Sequence, residues 1–123
     1  MSLTETLRRW FVGRHDVRRL PGRAGRVVNA LGLIPDPELG VGLVDLGLIR
    51  GVEVDGSHAI VRMTVTKPDC PQKDQIVQAV AEAVHKLGLE PEIHLELDPP
   101  WTTAEVAPAT LAALAKRGFT GAT

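Results

Sequence analysis

The chain has 123 residues, a formal net charge of −1 and a single cysteine. That length suits one domain able to bury roughly two-thirds of its unfolded surface, and a lone cysteine excludes an internal disulfide. No apolar run approaches the ~20 residues that span a bilayer and no signal peptide is visible, so a reducing cytoplasm is expected and a membrane is not.

The charge is uneven along the chain. Residues 1–26 carry Arg8, Arg9, Arg14, Arg18, Arg19, Arg23 and Arg26 against Glu5 and Asp16, and the remainder is acidic. A basic arm on an acidic body suits docking to an anionic partner, although a solvated leader has the same composition. Ser2-Leu3-Thr4-Glu5 has capping-box spacing, and Leu3, Leu7, Trp10 and Phe11 share one helical face. This predicts a short amphipathic helix over residues 3–12. Residues 13–25 are basic, with Pro21-Gly22 as punctuation, and read as a linker. The organisation expected is a leader over 1–23 and a domain over 24–123.

A second helix is predicted over residues 24–31, with Val27, Val28 and Leu31 facing inward and Gly32 ending it. Pro35 and Pro37 push their predecessors to extended geometry, and glycines at 40, 42 and 47 keep the stretch a loop. Residues 48–54 read as a strand, Asp55-Gly56 as a hairpin turn, and residues 59–66 as a second strand. In that strand Ala59, Val61, Met63 and Val65 face one way, and Ile60, Arg62, Thr64 and Thr66 the other.

Next come Lys67-Pro68-Asp69-Cys70-Pro71. Ile76, Val77, Val80, Ala81, Val84 and Leu87 then form a helical stripe ended by Gly88. Pro71 suits a first helical position, which places Cys70 at the N-cap, facing free N–H groups and the positive end of the helix dipole. That setting favours thiolate, the form that attacks electrophiles and binds metals. Lys67 would assist and Asp69 oppose. The alternative is a small half-buried residue in a turn.

Ile93, Leu95 and Leu97 alternate with His94 and Glu96 as a third strand, stopped by Asp98-Pro99-Pro100. Trp101 is expected as a buried anchor. Thr102 with Glu105 can cap a short turn, and Pro108 opens a last helix reaching Lys116-Arg117. The fold class expected is α+β in two layers, with a small mixed three-stranded sheet covered by helices, in the order α-β-β-α-β-α.

Four motifs recur in register. They are Asp36-Pro37-Glu38-Leu39-Gly40, Val44-Asp45-Leu46-Gly47-Leu48-Ile49, Thr66-Lys67-Pro68-Asp69-Cys70-Pro71 and Asp98-Pro99-Pro100-Trp101-Thr102. In order and spacing they resemble the MIP18/DUF59 family, which includes PaaD-like and other iron–sulfur assembly factors. The resemblance covers roughly residues 24–118. It implies a small assembly or targeting factor for iron–sulfur proteins rather than an enzyme, often a homodimer, with Cys70 as the reactive residue and iron–sulfur scaffolds or client enzymes as partners. Asp69 departs from the glycine common at that position and puts a negative charge beside the thiol. The chain also ends without the cysteine-rich extension of the PaaD branch, so the resemblance does not extend to phenylacetate oxygenase maturation.

An iron–sulfur cluster takes about four ligands, usually thiolates. One cysteine suits transient handling of a cluster or iron, with Cys70 as a metal ligand shared between protomers or with a partner. Asp36, Glu38 and Asp45 are candidates to bring carboxylates near Cys70, with Thr64, Thr66 and Lys67 in support. In the alternative reading Asp36 and Glu38 hydrogen-bond the turn backbone. His15, His58, His85 and His94 have no sequence placement that makes them partners of the thiol.

Two other functions fit less of the chain. A thiol-dependent enzyme needs a base within reach of Cys70. A nucleic-acid-binding module would use Gly22-Arg23-Ala24-Gly25 as a GXXG loop together with the basic leader.

Overall fold

The computed structural model of the protein describes residues 17–118; the helix expected over residues 3–12 lies outside the described residues. A 3-10 turn at Val17–Arg19 buries Val17 and leads into α1, Gly22–Gly32. A long loop follows, then β1 (Ile49–Asp55), β2 (His58–Met63), α2 (Lys73–Lys86) and β3 (Glu90–Leu95). A second 3-10 turn, Thr103–Glu105, precedes α3 (Pro108–Lys116). From α1 onward the order is α-β-β-α-β-α, as the sequence pattern predicts.

The sheet has the order β1-β2-β3, with β2 antiparallel to β1 and parallel to β3. A two-residue turn joins the first pair, but a parallel pair needs a long crossover, and α2 supplies it. One face of the sheet carries Val52, Ala59, Val61 and Met63, all fully buried. Against it pack Val27, Val28 and Leu31 of α1 and Ile76, Val80 and Val84 of α2. Burial of side chains this size is worth about 1.5–3 kcal/mol each relative to exposure. On the other face Glu53, Ile60 and Glu92 form one row, and Arg62 with His94 the next.

Several boundaries differ from the sequence-based expectation. α1 starts at Gly22, so Gly22-Arg23-Ala24-Gly25 is a first helical turn and not a phosphate-clamping loop. Arg23 donates to the Gly56 carbonyl, which ties that turn to the β1–β2 hairpin. β2 stops at Met63 instead of Thr66, and β3 opens at Glu90 with a proline inside it. Pro91 is tolerated for a definite reason. The N–H groups of Glu90 and Glu96 donate to Ser57 and Met63 on β2, both at 2.7 Å. Even-numbered residues therefore face β2, and Pro91 falls on the outward side, where a missing donor breaks no ladder bond.

The largest correction concerns the start of α2. Its N-cap is Gln72 and its first residue Lys73, so Cys70 and Pro71 lie ahead of the helix and Cys70 is not the cap. The Cys70 carbonyl instead accepts the Lys73 N–H at 3.1 Å, closing a tight turn before the helix begins.

The C-terminal segment is held down on the 43–50 region. Trp101 is buried, and its indole N–H donates to the Leu46 carbonyl at 2.7 Å. The Ala107 N–H donates to the Asp45 carbonyl at 2.8 Å. Arg50 sits at an irregularity in β1 between Ile49 and Gly51. It grips Glu105 through two bonds, Nε to Oε1 at 3.0 Å and Nη2 to Oε2 at 3.1 Å. The same Glu105 Oε2 accepts the Thr102 N–H at 3.1 Å, so the expected Thr102–Glu105 cap is present and also serves the sheet. Gly47 passes directly beneath this turn: with φ at +76°, a Cβ there would stand 2.1 Å from the Glu105 carbonyl oxygen.

Gly47→Ala should cost about 2–3 kcal/mol in a urea titration, through strained backbone plus displacement of the turn above it. Gly56→Ala, where φ is +59° and nothing lies within 4 Å, should cost only about 1–2 kcal/mol. Equal costs would refute the close approach. Glu105→Gln keeps the acceptor for Thr102 but removes the charge facing Arg50, whose side chain is 11% exposed. The expected loss is about 1–2 kcal/mol, below that of a fully buried pair because Glu105 is partly solvated. Thermal and urea unfolding measure it, and an unchanged midpoint would make the pair energetically idle.

Candidate functional site

The central strand delivers the chain to residues 64–72. Thr64 is buried; its N–H still donates to the Leu48 carbonyl at 2.8 Å, and its hydroxyl turns to the Val65 carbonyl at 3.4 Å. That hydroxyl therefore serves the backbone. Val65 is buried and Thr66 half-buried, after which Lys67, Pro68 and Asp69 are exposed. The Cys70 N–H donates to the Lys67 carbonyl at 3.1 Å. Cys70 thus joins two successive turns, its N–H closing the first and its carbonyl closing the second.

The thiol is free and half-buried, packed against the edge of the core. Gln72 Oε1 lies 3.9 Å from Sγ, a weak acceptor for the S–H group. Lys67, Asp69 and Pro71 beside it are all exposed, so the turn is a solvent-facing projection with its sulfur on the inner side. The Gln72 side chain makes no cap bond to α2, which leaves amides of the first helical turn without a side-chain partner, close in sequence to the thiol but not capped by it.

The acidic candidates have other tasks. Asp36 is buried, and its Oδ2 accepts the N–H groups of Glu38 at 3.0 Å and Leu39 at 2.9 Å. With Asp36 N–H to Val41 O and Gly40 N–H to Asp36 O, both at 2.8 Å, the side chain knits its own loop together. This is the turn-holding reading of Asp36; Glu38 contributes a backbone N–H and its side chain is exposed. Asp45 is exposed too, and acts through its carbonyl on Ala107. No hydrogen bond or ion pair joins any of these carboxylates to Cys70.

The histidines are distributed rather than gathered. His58 opens β2, at the opposite end of the strand from Cys70, and His85 closes α2. His94 is half-exposed on β3, 2.6 Å from Glu92 Oε2. Among the described residues no three of His, Cys, Asp and Glu are placed to hold a metal ion. Sequence reasoning missed Gln72 as the residue nearest the thiol and the Arg50–Glu105 and Arg62–Glu96 pairs. The Thr102–Glu105 spacing hinted at one of them, but an arginine 55 positions away leaves no local signal. Arg62 Nε reaches Glu96 Oε2 at 2.6 Å, tying the C-terminal ends of β2 and β3. No helix among the described residues is long and apolar enough to cross a membrane.

Comparison with known proteins bears on what this turn does. A solved DUF59 domain from Bacillus anthracis superposes with a TM-score of 0.69 at 32% identity, covering 73% of this chain and 89% of that one. YitW of Bacillus subtilis, described as an Fe-S protein maturation auxiliary factor, is 38% identical over 79 residues, 62% of this chain and 78% of its own. An Escherichia coli protein described as a component of 1,2-phenylacetyl-CoA epoxidase is 34% identical over 90 residues, 72% of this chain. The chain spans 54% of that protein's length. The family described as iron-sulfur cluster assembly protein matches residues 25–95, a stretch that runs from α1 to the end of β3 and includes Cys70, and the chain belongs to that family.

Proposed function

We propose that this protein is a maturation factor that helps iron–sulfur clusters, or iron, reach target enzymes, with Cys70 as the residue that touches the cargo. The cluster is cargo and not a resident group. The chain holds one cysteine, whereas a cluster takes about four ligands, so a cluster resting on Cys70 draws its other ligands from a scaffold or a client.

The observation that carries this reading is the setting of Cys70. The single thiol of a member of this family lies in a solvent-facing double turn, between exposed Asp69 and Pro71 and with no ion pair tying it down. Such a turn can be approached by another protein while the core behind it stays closed. The same setting weakens the reading as a thiol enzyme. His58 and His85 lie at the far ends of their elements and His94 is engaged by Glu92, so no general base is supplied to the sulfur. Asp36, Thr64 and Thr66 shape the approach to the turn, and Lys67 lends it positive charge. The acting unit is residues 24–123, working in the cytoplasm as a homodimer, with the basic stretch over 1–23 as its docking arm.

Cys70→Ser should fold with an unchanged circular dichroism spectrum and urea midpoint, because the sulfur makes only one weak polar contact. In cells lacking the native gene it should fail to support the activity of iron–sulfur client enzymes. Full support by this variant would remove Cys70 from the mechanism. Iodoacetamide should label the native protein at Cys70 without denaturant, and the labelled protein should lose the same support. Labelling that requires unfolding would place the sulfur out of a partner's reach.

A further inference from the structure

β3 is an edge strand, and its outward side has a specific pattern. Because Glu90 and Glu96 turn their N–H groups to β2, the backbone groups of Ile93 and Leu95 point away from the sheet, and among the described residues no strand takes them up. Edge strands of this kind are templates for another strand unless something blocks them. The side chains here are also incompletely covered. Leu89, Ile93 and Leu95 pack on the core but are only partly buried, and Leu87 and Leu97 at the two ends of the edge are 45% and 40% exposed.

The charges along β3 select what can pair there. On the face away from the core the strand reads Glu90, Glu92, His94. An antiparallel partner must match odd residues to odd residues for the outward groups to bond. If the partner is a second copy related by a two-fold axis, only a few registers remain. Centring the axis on Glu92 sets that carboxylate against itself. Centring it on His94 sets His94 against itself and Glu92 against Glu96. Centring it on Leu95 sets Glu92 against Asp98. Centring it on Ile93 sets each Glu92 opposite the partner's His94, Leu95 opposite Pro91 and Leu97 opposite Leu89. Glu90 then meets Glu96 at the ends of the pairing, where Arg62 already holds the Glu96 charge. That register puts opposite charges together at its centre on one face and apolar against apolar on the other. Glu92 and His94 already lie 2.6 Å apart within one chain, so the exchange across the axis replaces like with like.

We propose that two copies of this chain join β3 to β3 in the Ile93-centred register, forming a continuous six-stranded sheet. This rests on the homodimer reading above and names its interface. It has a consequence for the cargo. β2 is parallel to β3, so the two β2 strands of the dimer run in opposite directions, and the two Cys70 turns emerge from opposite ends of the sheet. The strands are separated by three spacings, about 14 Å, before the turns diverge further. The two sulfurs of one dimer therefore do not share a metal or a cluster, and each Cys70 faces a different scaffold or client.

The test is sedimentation equilibrium of the full chain across the micromolar range. The expected species is a dimer. Glu92→Lys, at a side chain 53% exposed, should weaken it about tenfold by setting Lys against His94 twice. The double change Glu92→Lys with His94→Glu should restore it, and Ile93→Pro, which deletes an outward donor, should weaken it as well. The charge variants lie on the surface, so they remain informative if the proline variant fails to fold. A chain that stays monomeric at every concentration overturns both the interface and the homodimer reading, leaving the edge to an extended segment of another protein. A dimer indifferent to Glu92→Lys and unrescued by the double change overturns the interface alone.

Discussion

The structure depends on the pairing of β2 with unlike neighbours, antiparallel on one side and parallel on the other. The parallel pair cannot be closed by a tight turn. The chain must leave β2 at its C-terminal end, cross the sheet as a helix and return to start β3 beside Ser57, where Glu90 bonds. The crossover explains three features at once. It requires the amphipathic α2, it buries one face of the sheet under two helices, and it puts an irregular stretch at the end of the most protected strand. Cys70 is in that stretch. Its position is fixed from behind by Val65 and Ile76, both buried, while the turn itself projects into solvent.

The C-terminal segment reinforces the same end of the sheet. Trp101, Ala107 and Glu105 attach to Leu46, Asp45 and Arg50, and Arg62 with Glu96 links the ends of β2 and β3. These polar contacts are partly shielded, so each is costly to break even though forming it contributes little net free energy. Their effect is to fix geometry. The thiol turn hangs from a frame whose strand ends are cross-linked by charged groups, which suits a residue that must present one atom to successive partners.

Cys70 also illustrates how a local rule is overruled. Proline after cysteine fits a helix opening at Pro71, yet the helix opens at Lys73, because the Cys70 carbonyl is taken by a turn and Pro71 is spent in it. The sulfur consequently sits before the helix, against the core edge, with Gln72 for company. Any activation it needs comes from the partner that approaches, in keeping with a residue that passes cargo and does not turn over substrate.

The alternating and helical patterns were readable because they report burial directly. Val27, Val28 and Leu31, then Val61 and Met63, then Ile76, Val80 and Val84 all reach the core that their spacing implied. The order of elements, the hairpin at Asp55-Gly56 and the anchor role of Trp101 follow from equally local chemistry, as does Asp36 as a turn-holder, since an aspartate two and three residues ahead of free N–H groups bonds them wherever the loop lies. What local chemistry could not supply is anything set by residues distant in the chain. The Arg50–Glu105 grip, the close pass of Gly47 under that turn, the tolerance of Pro91 on an outward edge and the exact start of α2 were decided only when the strands had met. Periodicity is a property of one segment against an averaged interior, whereas ladder parity and ion pairing belong to two segments at once, and these exist only in the folded chain.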